Sequence, residues 1–534
     1  MGARAARAGL ASASGILFSL SFPPIDAGLT AFVALVPLLL AARSSDAGTE
    51  EPGPGRGEVF FLGWLCGTVG ATLLVGPSVF EAARRYFELP LVPSLLAGAL
   101  APQLYAAPYF AVFALLAREV AARRRGAEWT ALALAAAWTA CELGRARFGD
   151  GMPWVLLGHS QVDRLRLLQI ADIAGVSGVS FLVALVNSAI ALALLEVQRR
   201  RASRHDRVVP SVRSSAIFVR LAGVVAAIVG GAAIYGHVQL QRWSGGERPP
   251  IRVALVQGNL PDAWRYSLAL LPEALRHMRD LTLEVRSSRP QLVVWPENAV
   301  SVSVDENRSA LRSLASAVPE GAFLLIGGPR AVSSTPGHAE LRNSAFLLDE
   351  TGRVAGAYDK RRLTMWAEAA PWPLPRLPFT RPAAPASYTP GGSPGLLEVH
   401  GTRVGTLICS EAIYASLARE SVRAGAEVLV NIGNDGWFGT QAAGAQHFDA
   451  ALFRAVENRR PMLRATATGI TAVIDARGTV VATAPQGRPA SLIVDVVPQR
   501  GQTIYMRFGD VFGWACVLLT AAAIYRKPSK VAAL

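Results

Sequence analysis

The sequence predicts a polytopic α-helical membrane domain of about eight spans, joined to an extracytoplasmic α/β domain. Three observations predict this: long apolar runs near both ends of the chain, arginine clusters on one side of those runs, and a less apolar segment in which strands alternate with helices. The chain of 534 residues is 51% hydrophobic and 17% charged, with a mean hydropathy of +0.31. That composition is too apolar for an ordinary soluble protein.

The apolar runs set the number of spans. A membrane-spanning helix needs roughly 20 apolar residues. Two shorter runs, 10–22 and 28–42, flank Pro23-Pro24 and predict a tight helical hairpin. The longer runs occupy residues 59–79, 91–117, 127–143, 173–195, 216–235 and 508–525.

The first run also has features of a signal peptide, because Arg4 and Arg7 precede it and small residues lie nearby. An uncleaved helix is the preferred interpretation. A second apolar run follows at once, and no clear cleavage site ends the first.

The arginines predict the orientation of the spans. With the N-terminus in the cytoplasm, the inside segments include Arg123-Arg124-Arg125, the stretch QRRRASRHDRVVPSVR at 198–213, and YRKPSK at 525–530. Cytoplasmic loops carry an excess of Lys and Arg. The net charge of +14 is therefore explained by topology. A nucleic-acid patch is disfavoured, since it would need these clusters to converge on one surface.

This orientation divides the chain into three parts. We expect an N-terminal membrane domain of about seven spans over residues 1–236 and an extracytoplasmic catalytic domain over 237–507. A last transmembrane helix and a cytoplasmic tail fill 508–534. The middle part, about 270 residues, is long enough for one sizeable folded domain.

The cysteines point to a reactive thiol. Cys66, Cys141 and Cys516 fall inside predicted spans, whereas Cys409 is alone in the extracytoplasmic domain. Disulfides are the usual fate of cysteines in an oxidising compartment, and this cysteine has no partner in its own domain. The alternative is a buried cysteine that packs as a small hydrophobe. The carboxylate of Glu411 two residues later favours a nucleophile instead.

Three polar residues stand where apolar strand-like runs end. They are Glu297 in VVWPENAV, Lys360 in GAYDKRRL and Cys409 in TLICSEAI. The strand-and-helix alternation is typical of an α/β sheet layered by helices, and such folds build their sites at strand ends. A Pro-rich stretch within 368–395 predicts a long loop near this site.

These residue types together suit one chemistry. A cysteine must lose a proton from a pKa near about 8.5 before it attacks, and a carboxylate base assists that loss. A nearby ammonium stabilises the thiolate and also a tetrahedral oxyanion. The implied reaction is acyl transfer through a thioester.

The Glu, Lys and Cys contexts, with NDGWFG at 434–439, resemble the nitrilase superfamily, whose members share an α-β-β-α sandwich and a Glu-Lys-Cys triad. The order GMPWVLLGHSQVD, LVQGNLPDAW and LRNSAFLLD around the triad, within about eight spans, resembles the bacterial apolipoprotein N-acyltransferases. This resemblance covers nearly the whole chain. It implies a membrane-embedded member of the superfamily.

The resemblance assigns roles residue by residue. Glu297 corresponds to the general base, Lys360 to the oxyanion-stabilising cation and Cys409 to the nucleophile. The supporting or substrate-binding positions are Glu368, a second acid close to the cysteine; Glu411, the acid after the nucleophile; Trp437, on a mobile loop; Asn343, of an NS motif; Arg460, before a proline; and Trp154, in GMPW.

Several positions depart from the family pattern. Ser410 replaces an aromatic between the cysteine and the glutamate, and Met365-Trp366-Ala367 replaces Pro-Phe-Gly before Glu368. The tryptophan that the family has early in the domain corresponds to Trp264 or is replaced by Tyr266. These changes bear on acyl-chain preference rather than on the triad.

The resemblance also implies the substrates. The family takes an acyl chain from a phospholipid, typically the sn-1 chain of phosphatidylethanolamine, and passes it to the α-amino group of a diacylglyceryl-cysteine at the N-terminus of an apolipoprotein. The expected location is the bacterial cytoplasmic (inner) membrane, with the catalytic domain on the periplasmic side. We expect no cofactor and no nucleic acid. We also expect no metal, since the histidines show no ligand spacing such as HExxH.

Two rival functions share parts of this pattern. A membrane-tethered amidase or nitrilase that hydrolyses small amides has the same triad, but one anchor would suffice for it. A transporter or receptor that only binds lipid is the other. Intramembrane charges mark transport paths, and only Glu142 and Arg220, near span ends, stand out here.

Overall fold

The computed structural model describes residues 2–43, 53–123, 125–149, 151–203, 212–243, 248–260, 269–304, 308–335, 338–365, 367–369 and 388–525. Most of the Pro-rich stretch predicted as a loop, 370–387, lies outside the described residues. The chain divides into two compact units. Unit 1 comprises Met1–Phe80, Pro90–Val238 and Asp510–Leu534, and unit 2 comprises Glu81–Leu89 and Gln239–Gly509.

All regular secondary structure among the described residues of unit 1 is helical. Short 3-10 turns at Thr30–Phe32 and Leu157–Gln161 connect its α-helices. The helices are α1 Gly2–Leu20, α2 Val36–Ala41, α3 Arg56–Arg85, α4 Leu91–Ala122, α5 Ala127–Arg147, α6 Leu165–Leu168, α7 Ala171–Ser203 and α8 Val212–Arg242, with a helix near the end of the chain at Val511–Tyr525.

Four helices of the described residues are long and apolar enough to cross a membrane: Arg56–Arg85, Leu91–Ala122, Ala171–Arg199 and Phe218–Arg242. They contain the predicted runs 59–79, 91–117 and 173–195 and all but the first two residues of 216–235. The helix at Val511–Tyr525 is apolar but only 15 residues long. The count of about eight spans stays a prediction.

Helix α5 lies at the centre of unit 1 because small side chains let its neighbours approach. Alanines at buried positions dominate its sequence. The Trp138 ring then fills the space between other helices, with ring centroids 5.0 Å from Phe110 and from Phe113 and 6.1 Å from Phe18. Edge-to-face packing of this kind stabilises aromatic clusters beyond the area that they bury.

Unit 2 contains two mixed six-stranded sheets. The first has the order β12-β1-β2-β3-β4-β5 and the second β11-β10-β9-β8-β7-β6. The strands are β1 Ile251–Gln257, β2 Leu292–Val294, β3 Phe323–Thr335, β4 His338–Leu348, β5 Val354–Asp359, β6 Leu396–Val399, β7 Thr402–Ile408, β8 Val428–Gly433, β9 Met462–Thr466, β10 Ala472–Ile474, β11 Val480–Thr483 and β12 Ala490–Val496.

The helices of unit 2 connect and flank these strands. A 3-10 helix follows β7 at Cys409–Ile413, and another follows β8 at Asp435–Phe438. The α-helices are α9 Leu271–Val285, α10 Arg308–Ala315, α11 Ala415–Arg423, α12 Gln441–Asn458 and α13 Ile504–Phe508; the helix at Val511–Tyr525 in unit 1 is α14.

Strand β1 is buried on both faces, and the alternation of its side chains separates two cores. In β1, Val253 and Leu255 join a cluster that also contains β7 and β8 side chains of the other sheet. Ala254 and Val256 face the opposite way, into a cluster with helices α9 and α10. Successive side chains on a strand point to opposite faces. One sheet therefore packs against the other sheet and against helices at the same time.

Strand direction brings the ends of β2 and β5 to one edge of the first sheet. Strands β1, β2 and β3 are parallel, while β4 is antiparallel to β3 and β5 is antiparallel to β4. Strand β5 thus runs in the same direction as β2. The residues that follow β2 and β5 lie at the same edge of the first sheet.

One hydrogen bond fixes the segment after β2. The Trp295 indole N–H donates to Thr282 Oγ1 over 2.9 Å, and the Thr282 hydroxyl donates to the Met278 carbonyl in helix α9. Trp295 has no exposed surface. The helix therefore anchors the chain two residues before Glu297.

We expect Thr282→Val to lower the stability of unit 2, because it leaves a buried indole N–H without an acceptor. Such a loss costs about 1–3 kcal/mol, or several degrees in Tm at about 2–4 °C per kcal/mol. The measurement is tryptophan fluorescence during thermal unfolding in detergent. Thr282→Ser keeps the hydroxyl and is the matched control. An unchanged Tm in Thr282→Val would contradict this role.

Candidate active site

The structure brings Glu297, Lys360 and Cys409 together inside unit 2. Glu297 follows β2, Lys360 follows β5 and Cys409 follows β7. All three side chains are buried, with exposed fractions of 3%, 1% and 6%. The Glu297 carboxyl group and the Cys409 thiol are close enough for each to shift the pKa of the other. The first sheet supplies the acid and the ammonium, and the second sheet supplies the thiol.

The Lys360 ammonium has an oxygen for each of its three N–H donors. Its Nζ atom lies 2.8 Å from Glu368 Oε2, 3.1 Å from Thr364 Oγ1 and 3.4 Å from Glu297 Oε1. The contact with Glu297 is the longest. A cation held in this way can stabilise negative charge that develops in the site during a reaction.

The two oxygens of Glu297 have different surroundings. Asn343 Nδ2 donates to Oε1 over 2.8 Å and also to Glu368 Oε1 over 2.6 Å. Oε2 accepts no hydrogen bond from a nitrogen or oxygen donor among the described residues. It is therefore the oxygen with a lone pair available for the proton of the Cys409 thiol.

The two carboxyl groups around Lys360 titrate in opposite directions. Burial raises the pKa of Glu297, and the Lys360 charge only partly offsets this. Burial acts on Glu368 in the same sense, but the ion pair with Lys360 and the Thr364 backbone N–H lower its pKa. Carboxylates whose environments push their pKa values apart take different roles. Glu368 is the ionised partner of Lys360, and Glu297 is the group suited to proton transfer.

The cation and the thiol are both held in their protonated forms. Burial disfavours the ammonium of Lys360, but Glu368 and Glu297 outweigh it and raise its pKa well above the usual value. Burial and the neighbouring Glu297 raise the pKa of Cys409 well above the usual value, against the Lys360 charge. The resting site therefore contains a thiol, which has to pass its proton on as it reacts.

Glu411 lies beside the nucleophile in sequence, but its carboxylate holds the backbone. Oε2 accepts from the Ile408 N–H over 2.8 Å, and Oε1 accepts from the Arg361 and Arg362 N–H groups over 2.7 and 3.1 Å. The Tyr358 hydroxyl also donates to it over 2.9 Å. Glu411 thus joins the end of β7 to the chain just after Lys360.

Trp437 and Arg460 lie in different parts of unit 2. The Trp437 ring is half-buried and stacks on Tyr86, with centroids 4.1 Å apart. The structure does not bring Arg460 to the triad. Its guanidinium donates to the carbonyls of Ala426 and Gly501, at the end of β8 and β9 opposite to Cys409. Burial lowers the pKa of Arg460 to about 10.

Three further predicted positions lie elsewhere. Trp154 is a buried residue of unit 1, 7% exposed. Trp264 and Tyr266 lie outside the described residues, within the gap 261–268.

Four buried residues that the sequence did not single out surround the Cys409 main chain. Asn431 Nδ2 and His447 Nε2 lie 3.2 and 3.0 Å from the Cys409 carbonyl oxygen. Asp435 and Arg464 in turn contact His447. We call Asn431, Asp435, His447 and Arg464 the carbonyl clamp. The one local signal for it is the pair of polar residues Asn434-Asp435 directly after β8.

Within the part of the chain that the structure describes, no three His, Cys, Asp or Glu side chains lie close enough to bind a metal ion. The site's own groups are an acid, an ammonium and a thiol, which suit nucleophilic catalysis at a carbonyl carbon.

Comparison with known proteins places this geometry in a class. Residues 252–505 match the carbon-nitrogen hydrolase family, so unit 2 has a nitrilase-like fold with two mixed sheets. Residues 14–189 match the apolipoprotein N-acyltransferase N-terminal domain.

Relatives over the full length narrow the class. An apolipoprotein N-acyltransferase from Geobacter metallireducens is 36% identical over 97% of this chain and 95% of that protein. One from Azotobacter vinelandii is 31% identical over 98% of this chain and 96% of that protein. The chain therefore belongs to the apolipoprotein N-acyltransferase family, and it is an acyltransferase of the nitrilase superfamily.

Solved structures are more distant. An amidase from Nesterenkonia sp. is 20% identical over 50% of this chain and 97% of that chain, with a TM-score of 0.36. That similarity is too low to say anything about activity.

We expect the rate of Cys409 alkylation by iodoacetamide to rise about tenfold per pH unit from about pH 7 to 9, since the thiolate fraction does so below a raised pKa. Lys360→Met removes the charge that opposes the rise in the Cys409 pKa, so its profile should shift to higher pH. Peptide mass spectrometry of the Cys409 peptide measures the rate. A plateau near pH 7 would contradict a resting thiol.

Proposed function

We propose that the protein transfers an acyl chain from a phospholipid to the N-terminal amine of a diacylglyceryl-cysteine on apolipoproteins, through a thioester on Cys409. The observation that carries the proposal is the convergence of Glu297, Lys360 and Cys409 in a buried site of a chain from this family. Phosphatidylethanolamine is the proposed acyl donor. A lipid donor and a lipid-modified acceptor suit a chain with four apolar helices of spanning length.

The first half-reaction breaks the ester bond of the donor. The Cys409 Sγ atom attacks the ester carbonyl carbon while Glu297 Oε2 takes the thiol proton. The charge on the tetrahedral oxygen is stabilised by Lys360, whose longest and weakest contact, with Glu297, is lost most easily. The intermediate then expels the lysophospholipid alkoxide, which takes the proton from Glu297. A thioester on Cys409 remains.

The second half-reaction uses the same groups in reverse. The neutral α-amine of the acceptor attacks the thioester carbonyl carbon, and Glu297 takes the amine proton. Collapse of the intermediate forms the amide and expels the Cys409 thiolate, which recovers its proton from Glu297. A thioester is reactive enough to acylate an amine without further activation.

The remaining carboxylate and amide have supporting roles. Glu368, ionised beside Lys360, keeps the ammonium in place throughout the cycle. Asn343 bridges Glu297 Oε1 and Glu368 Oε1 and so fixes the acid for proton transfer through Oε2. Glu411 holds the strand ends together, as hydrogen bonds from four donors indicate.

The other family-derived positions are proposed as follows. Trp437 contacts substrate from the NDGWFG loop, and Trp264 or Tyr266 does so from the segment after β1. Trp154 contributes to lipid binding in the membrane domain. For Arg460 the contacts with backbone carbonyls favour a structural role in unit 2.

We propose the membrane arrangement on the same basis. Residues 1–236 form the membrane domain, 237–507 an extracytoplasmic α-β-β-α sandwich and 508–534 the last span with a cytoplasmic tail, with about eight spans in all. The arginine clusters support an orientation with the catalytic domain on the periplasmic side of the bacterial inner membrane. The packing of β1 against both the second sheet and helices α9 and α10 supports the sandwich.

Purified protein in phosphatidylethanolamine vesicles should transfer the sn-1 chain to a synthetic diacylglyceryl-cysteine peptide, as followed by mass spectrometry of the peptide. Phosphatidylglycerol vesicles test the choice of headgroup. Release of free fatty acid without peptide acylation, or turnover of small amides in lipid-free detergent, would favour the amidase alternative. No turnover of either kind would point to a lipid-binding protein.

We expect Glu297→Gln to slow peptide acylation about 10²–10⁴-fold, the usual contribution of a general base. Lys360→Ala should slow it at least about 10²-fold, as loss of an oxyanion-stabilising group does. Cys409→Ala should abolish it. Glu398→Gln changes an exposed carboxylate on β6 and is the matched control. Normal turnover in any of the three site variants would refute the assignment of the triad.

A further inference from the structure

The nucleophile has an unusual backbone that its neighbours must hold. The φ angle of Cys409 is +52°, in the left-handed region that residues other than glycine and asparagine seldom adopt. Such a conformation costs about 1–3 kcal/mol and persists only where the surroundings impose it. The direction of the Cys409 side chain depends on this angle.

Two buried donors hold the Cys409 carbonyl oxygen. Asn431 Nδ2 lies 3.2 Å from it and His447 Nε2 lies 3.0 Å from it. Neither Asn431 nor His447 has exposed surface. A carbonyl oxygen can only accept, so the Nε2 atom of His447 carries a proton.

The rest of the carbonyl clamp fixes that ring. Arg464 Nη2 lies 2.8 Å from Asp435 Oδ2 and 3.0 Å from His447 Nδ1, and Asp435 Oδ1 lies 2.8 Å from the same ring nitrogen. Arg464 Nη1 also donates to Asn431 Oδ1. Burial and the Arg464 charge lower the pKa of His447, and the Asp435 carboxylate acts in the opposite sense. One buried arginine thus orients both donors to the Cys409 carbonyl.

Two glycines show how closely Asp435 fits. A Cβ atom at Gly469 would lie 2.0 Å from Asp435 Oδ2, so a larger residue there displaces this carboxylate. A Cβ atom at Gly444 would lie 3.6 Å from the same oxygen, an ordinary contact. The Asp435 side chain therefore has no free space next to Gly469 but has room for a methyl group next to Gly444.

We propose that His447 is a positioning residue for acyl transfer: oriented by Asp435 and Arg464, it holds the Cys409 carbonyl so that the thiol faces Glu297. This inference rests on the proposed function of Cys409. It assigns a role to four polar residues that the triad chemistry does not use. Misplacement of a reacting group by about 1 Å costs about 10²-fold in rate.

The first test compares two amides at one position. In His447→Gln the side-chain NH₂ reaches the position of Nε2 and still donates to Cys409; in His447→Asn it reaches only the position of Nδ1. We expect His447→Asn to lose about 10–100-fold in kcat for peptide acylation with KM unchanged, and His447→Gln to stay within about threefold of wild type. Equal losses in the two variants would overturn the proposal.

The second test leaves the clamp residues intact. Gly469→Ala should slow acylation by displacing Asp435, whereas Gly444→Ala should not. If the His447 variants do not fold, the acylation rates of this glycine pair test the proposal. The Tm of each variant is measured to show that a difference in rate does not come from a difference in stability. Equal rates in Gly469→Ala and Gly444→Ala, when both fold, would also overturn the proposal.

Alkylation of Cys409 by iodoacetamide separates this inference from the proposed function, because it requires no lipid. We expect the alkylation rate at pH 8 to fall in His447→Asn and Gly469→Ala and to be kept in His447→Gln and Gly444→Ala. If the wild type acylates no peptide but this pattern holds, the positioning role stands and the acyl-transfer function fails. Unchanged alkylation in all four variants would show that the clamp does not position the thiol.

Discussion

The buried Lys360 ammonium is the constraint on which the site depends. Taking an ammonium out of water costs several kcal/mol, and a buried charge is tolerated only with good partners. Glu368, Thr364 and Glu297 supply one oxygen for each N–H. Two carboxyl groups around one cation cannot both be equally ionised at low cost, so their pKa values diverge. The proton acceptor of the reaction is a consequence of this arrangement.

The two-sheet architecture then places a thiol against that acid. Parallel strands direct Glu297 and Lys360 to one edge of the first sheet, and β7 of the second sheet ends at Cys409. Glu411 ties the end of β7 to the chain after Lys360 through backbone N–H groups. On the other side of the nucleophile the carbonyl clamp holds its main chain. The thiol is therefore fixed from both sheets while its own pKa keeps it protonated.

Sequence reasoning selected Glu297, Lys360 and Cys409 because each follows an apolar strand, which is a local signal, and the structure brings the three side chains together. The residue types alone could not separate Glu411 from Glu297 as the partner of the thiol, since that depends on which way each carboxylate points after the sheets pair; the family resemblance assigned Glu297. His447 left no signal at all: a single histidine is ordinary, and its role arises only when α12 packs against the 3-10 helix that begins at Cys409.

The most direct test of the account is intact-mass spectrometry of the purified protein after incubation with phosphatidylethanolamine, beside Cys409→Ala. The account predicts an acyl adduct on the wild type alone, which hydroxylamine removes and which a diacylglyceryl-cysteine peptide discharges as it becomes acylated. No adduct on the wild type, with the Cys409 thiol still free and the protein folded, would contradict a thioester mechanism at this site.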